Sequence, residues 1–160
     1  MRHSRAILIG TLVVGTLDFL DAVVFFGIRN GTTPLRIGQS IAAGWLGREA
    51  YRGGVPTAIL GVATHYLIAF GIVFVYVAAS RRLAVLTRRP WLCGAIYGLG
   101  VYAFMNLVVI PLSAIGRQPF VRGPLLNGLV IHVLGIGIPS ALFAAAARRQ
   151  SPLPAAPSPR

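Results

Sequence analysis

The sequence predicts an all-α integral membrane protein: a four-helix bundle with one extra short amphipathic helix, interfacial or re-entrant, between spans 1 and 2. Three observations carry that reading. The 160-residue chain is 56% hydrophobic, with a mean hydropathy of +0.75. Only 11% of its residues are charged, against about 25% in ordinary soluble domains. Four apolar runs, at 6–28, 56–79, 91–112 and 124–147, are each long enough to cross a hydrocarbon core, which takes roughly 20 residues as helix. Backbone groups in lipid must pair within their own segment, so helix is the state these runs adopt.

The first run follows a basic start, MRHSRAILIGTLVVG. It resembles a secretory leader but is longer, and no small-x-small cleavage site follows, so it reads as a retained span. The connection to the second run is long and contains TTPLRIGQSIAAGWLGRE. Thr33 followed by Pro34 is a helix-start signal. From Pro34 to Gly47, helical spacing puts Leu35, Gly38, Ile41, Ala42, Trp45 and Leu46 on one arc, and Arg36, Gln39, Ser40 and Gly47 on the other. Such a segment is too short to span, so it is expected at the outer interface or dipping in and returning. Trp45 suits interfacial depth, and Arg36 and Arg48 could anchor there or meet anionic headgroups. Residues 148–160, rich in Pro and Ser, are expected to form a disordered tail.

The net charge of +12 comes from 15 arginines, because the chain has no lysine. They cluster at the ends of the apolar runs, which argues for membrane flanks and against nucleic acid. One side would carry Arg2, Arg5, Arg81, Arg82, Arg88, Arg89, Arg148, Arg149 and Arg160; the other Arg29, Arg36, Arg48, Arg52, Arg117 and Arg122. The positive-inside rule then puts both termini in the cytoplasm, and the expected location is a bacterial cytoplasmic membrane. The single cysteine, Cys93, excludes an internal disulfide.

The most informative residues are acids in the first run. The chain has three acidic residues, and Asp18 and Asp21 both lie inside that span. An acid at the bilayer centre costs about 2.5–3.5 kcal/mol on insertion scales, so both must face protein or water. Thr11, Val14, Asp18, Asp21 and Phe25 form one helical stripe. By helical rise, Asp21, Asp18, His65, Asn106 and His132 fall about 9–15 Å from the outer ends of their spans. Each span therefore contributes to one polar layer. Its neighbours fit close packing: Ala58, Gly61, His65, Ile72 and Tyr76 share a face, as do Gly94, Gly98, Tyr102 and Asn106, and Gly128, His132, Gly135 and Pro139. Pro111 and Pro139 could loosen backbone bonds near the layer.

The layer admits three readings. It could only fasten the helices, in a structural or stress-related membrane protein, at about 1 kcal/mol per bond. It could handle protons, ions or a small ligand, since two carboxylates one turn apart favour sharing a proton beside histidines. It could hold a metal on Asp18, Asp21, His65 and His132, or a haem on His65 and His132, although no tight ligand motif marks either. No cofactor is otherwise expected. Ser113 and Ser140 lack a nucleophile-elbow context, Glu49 next to Arg48 reads as a surface ion pair, and no catalytic signature is present. The expected partners are the lipid bilayer and either a second copy of the chain or another membrane protein.

The chain also resembles an uncharacterised family of small bacterial four-span inner-membrane proteins. The resemblance runs from about Gly10 to Ser140. It rests on Thr16-Leu17-Asp18, Pro34-Leu35-Arg36-Ile37, the AAGWLG stretch, Gly61-x-x-x-His65, and the ridge of Gly94, Gly98, Tyr102 and Asn106 running into Pro111-Leu112-Ser113. The middle two spans are distantly similar to YagU-like membrane proteins at His65, Gly94, Gly98 and Pro111-Leu112. Both resemblances imply an inner-membrane helical protein and no mechanism.

Overall fold

The structure, a computed structural model, describes residues 2–119 and 121–149. Among them every regular element is helical. The order is α1 (His3–Asn30), α2 (Pro34–Leu46), a 3-10 segment (Gly47–Arg52), α3 (Gly54–Arg82), the single turn α4 (Val85–Arg88), α5 (Pro90–Leu112) and α6 (Arg122–Arg149). Helices α1, α3, α5 and α6 are long and apolar enough to cross a membrane, which makes this a multi-pass membrane protein by length and composition. Helices α1, α3 and α6 extend past the apolar runs to take in flanking arginines, whose stems can continue a helix with their charge in water. Helix α6 takes in Arg148 and Arg149 of the expected tail; the rest of that tail lies outside the described residues.

Local chemistry sets the element ends. Gly31 ends α1 in the left-handed region at φ 66°, donating its N–H to Gly27 at 2.9 Å, the usual glycine stop. Two residues later Thr33 caps the start of α2: its hydroxyl oxygen accepts the Arg36 N–H at 3.3 Å, and Pro34 fills the first turn.

Helix α2 folds straight back and packs along α3. Its buried face is Ile37, Gly38, Gln39, Ala42 and Ala43, not the arc centred on Leu35, Trp45 and Leu46. Leu35, Trp45 and Leu46 are exposed on the folded chain, whereas Gln39 is only 3% exposed and donates to the Gly54 carbonyl at 3.1 Å. The reason is steric. A Cβ on Gly61 would strike the Gly38 carbonyl, and one on Gly38 would come within 2.8 Å of the Ala58 carbonyl. Small residues admit this backbone approach, and the apolar arc is left for lipid.

The same device joins α5 to α6. A Cβ on Gly98 would run into the His132 carbonyl, and one on Gly137 into the Gly94 carbonyl. Where α1, α3 and α6 meet, the core is Val14, Ala69, Val73, Tyr76, Val77, Ile136, Ala141 and Ala144. Tyr76 closes its lower end, donating to the Leu86 carbonyl at 3.0 Å.

Two helices carry a wide π turn, at Met105–Val109 in α5 and His132–Gly137 in α6. Each ends two residues before a proline, Pro111 and Pro139. A proline lacks an N–H and its ring pushes away the carbonyl four residues back, so the preceding turn widens to re-pair. Such turns concentrate at functional positions. Here one contains Asn106 and the other starts at His132.

The glycine seams give a paired prediction. Gly98→Val should destabilise the detergent-solubilised protein by about 1–3 kcal/mol through overpacking. Gly100→Ala, two residues away with open space at its Cβ, should leave the thermal midpoint unchanged or slightly raised. Equal effects of the two would contradict the close-approach assignment.

Candidate functional site

Helices α1, α2, α3, α5 and α6 surround a cavity of ≈ 260 Å³. Asp18, His65, Asn106 and His132 line it, one from each long helix, with Ser40 from α2. The walls between them include Val14, Phe19, Ile37, Met105 and Ile136. Asp21 is not in this lining.

His65 is the hinge of the geometry. Its Nε2 donates to the Gly15 carbonyl of α1 at 2.8 Å. A carbonyl can only accept, so Nε2 carries the hydrogen and the neutral ring has its lone pair on Nδ1. That lone pair faces Asp18, with Nδ1 3.9 Å from Oδ2. Both side chains are largely enclosed, at 13% and 25% exposure. The ring is held edge-on by Tyr66 and tilted against Phe19. Tyr66 is tied in turn to α1 by a 2.9 Å bond between its hydroxyl and that of Thr16.

His132 repeats the pattern on α6. Its Nδ1 donates to the Gly128 carbonyl one turn back at 2.9 Å, leaving the lone pair on Nε2, and Tyr102 meets the ring edge-on. Asn106 donates through Nδ2 to the Tyr102 carbonyl at 2.9 Å, leaving Oδ1 free. Among the described residues, no fully buried side-chain nitrogen or oxygen lacks a partner. The atoms of Asp18, His65, His132 and Asn106 that lack a protein partner therefore keep some accessible surface, on residues that all line the cavity.

Asp21 has a separate partner. Asn127 of α6 donates to its Oδ2 at 2.6 Å, a charge-assisted bond between the first and last long helices. The sequence reading passed over Asn127. The available signal was an amide inside an apolar run, but at about 4–5 Å from the end of its run, against about 10 Å for Asp21, depth alone does not pair the two.

The remaining candidates sit outside the cavity. The Trp45 indole donates to the Thr64 hydroxyl at 3.1 Å and pins α2 to α3. The Arg36 guanidinium lies 4.2 Å over the Tyr51 ring. Arg48 is exposed, and Glu49 pairs on the surface with Arg52 at 3.3 Å rather than with Arg48, since adjacent residues of a helical turn face apart and those three on face each other. Among the described residues no three His, Cys, Asp or Glu side chains converge as a metal-ligand set. No family model, curated protein or solved structure matches the chain.

The Asp21–Asn127 bond can be tested by a double-mutant cycle. Asp21→Leu and Asn127→Leu should each lower stability in lipid, with a coupling between them of about 0.6–1.7 kcal/mol, the range for polar contacts between membrane helices. Additive effects would show that the bond does not form.

Proposed function

We propose that this is a four-helix bundle of a bacterial cytoplasmic membrane whose Asp18–His65 centre binds and exchanges a proton, with His132 and Asn106 as secondary stations. Asp18 Oδ2 lies 3.9 Å from His65 Nδ1, the nitrogen not used on Gly15, and this observation carries the reading; with the ring neutral and the acid ionised the two are facing acceptors. Such a pair in a low-dielectric setting is satisfied by one shared proton, or by a cation in its place. Intramembrane acids beside histidines are the usual material of proton pathways.

The polar layer divides by role. The Asp21–Asn127 bond favours helix fastening for its half, since both partners are engaged with each other. The Asp18 half keeps its free atoms turned to a cavity. Helix α2, placed by this reading at the outer interface, caps the cavity through Ile37, Ser40 and Ile41. The described arginines number eight at the end carrying Arg2, Arg5 and Arg148, against six at the other, which favours cytoplasmic termini. The kinship with small bacterial four-span proteins, resting on the Thr16–Asp18 and Gly94–Asn106 patterns, supports the same location. Four spans are few for a complete transport path, so the working unit is taken to be a homo-oligomer or a complex with another membrane protein.

The test is infrared difference spectroscopy of the protein in lipid on stepping the pH. A carbonyl band from a protonated carboxyl should appear in wild type and in Asp21→Asn, and vanish in Asp18→Asn, with all three remaining folded. A band that survives Asp18→Asn, or that is lost with Asp21→Asn alone, overturns the assignment.

A further inference from the structure

The polar cavity shares lining residues with spaces on the outside of the bundle. Two larger apolar grooves adjoin it. One, ≈ 590 Å³, runs beneath α2 past Trp45 and Thr64 to the end of α5. The other, ≈ 630 Å³, lies between α3 and α5. Ile68 of α3 and Met105 of α5, the first residue of the π turn, line all three spaces. Helices α3 and α5 do not pack along this stretch. They are tied at one point of the groove lining, where Tyr97 donates to the Ile72 carbonyl at 2.7 Å and meets Tyr76 edge to face. Gly71 and Gly100 line the groove from either side, and a Cβ on either would meet nothing within 4 Å. Each groove falls within the range of about 300–1,000 Å³ typical of small-molecule sites.

The inner end has a definite hydrogen-bond polarity. His65 has committed its N–H to Gly15, His132 to Gly128, Asn106 one of its two to Tyr102, and the Ser40 hydroxyl to Ile37. What faces the cavity is mainly acceptors: two imidazole lone pairs, an amide oxygen and a carboxylate. No arginine lines it among the described residues. A neutral hydroxylated head would match the acceptors and leave the charge unanswered. A quaternary ammonium would match the charge and offer no N–H. An anionic head matches neither.

We infer that the cavity binds an amphiphile with a primary or secondary ammonium head, entering sideways from the lipid phase through the α3/α5 groove. The inference rests on the proton-site reading above, with the ammonium taking the place of the exchanged proton. The head's N–H groups point to Asp18, His65 Nδ1 and His132 Nε2. The Phe19 and Phe26 rings in the same lining add a surface suited to a cation. The alkyl tail lies in the groove past Ile68 and Met105, between Gly71 and Gly100.

The experiment titrates dodecylammonium into the full chain in phosphatidylcholine nanodiscs by calorimetry, with empty nanodiscs as the partition control. Dodecyltrimethylammonium and dodecanol are titrated in parallel. The variants are Asp18→Asn and the double change Gly71→Leu/Gly100→Leu, which fills the groove without touching the polar end. Saturable dodecylammonium binding is expected, weaker by at least about tenfold in either variant and for either analogue. The groove-filled variant should keep the Asp18 infrared band, showing it is folded with an intact proton site. Dodecanol binding as tightly overturns the cationic head, and dodecyltrimethylammonium binding as tightly overturns the N–H requirement. Undiminished binding to the groove-filled variant overturns lateral entry. Loss of the infrared band in that variant overturns the separation of groove from proton site. Partition equal to empty nanodiscs, with the wild-type band present, sinks this inference and leaves the proton site standing; absence of both sinks the two together.

Discussion

The hydrogen bond from His65 Nε2 to the Gly15 carbonyl is the constraint on which the site depends. It spans 2.8 Å between α3 and α1, and it decides which ring nitrogen is left for the cavity. Had the ring met an N–H donor there instead of a carbonyl, its own N–H would have turned inward and the acceptor character of the cavity would be lost. Gly15 makes the contact reachable, since a Cβ there would come within 2.8 Å of the Tyr66 ring. One small residue thus lets α1 lie close enough to α3 for the imidazole to reach its backbone.

The other walls follow from the same economy of side chains. Between lipid-soluble helices there is little hydrophobic drive to associate, so close backbone contact and a few polar bonds do the holding. Gly94, Gly98 and Gly137 bring α5 against α6, and Gly38 and Gly61 bring α2 against α3. The prolines have the opposite effect. Pro111 and Pro139 widen the turns that hold Asn106 and His132. The cavity and its side groove lie where tight seams end and loosened turns begin.

Much of this was legible in the sequence. The four long helices follow from run length, and the shared stripe of Asp18 and Asp21 follows from 3-4 spacing. The convergence of Asp18, His65, Asn106 and His132 on one cavity agrees with the depth arithmetic, because rigid helices of similar length convert residue number into height. What depth could not supply was azimuth. Asp21 sits one turn from Asp18 yet reaches Asn127 rather than the cavity. The packing of α2 shows a related limit: in lipid the large apolar residues can point outward and the small ones inward, so the apolar arc does not by itself say which face meets the protein. Gln39 shows it, buried beside glycine and alanine while Trp45 is exposed. The π turns were foreshadowed only by their prolines.

The most direct measurement is the ¹⁵N spectrum of the His65 imidazole in lipid, assigned by comparison with His3→Gln and His132→Gln. The account predicts a protonated Nε2 under conditions where the ring is neutral, with Nδ1 bearing the lone pair and alone changing its shift in Asp18→Asn. A ring protonated at Nδ1, or an Nδ1 indifferent to Asp18, would contradict it.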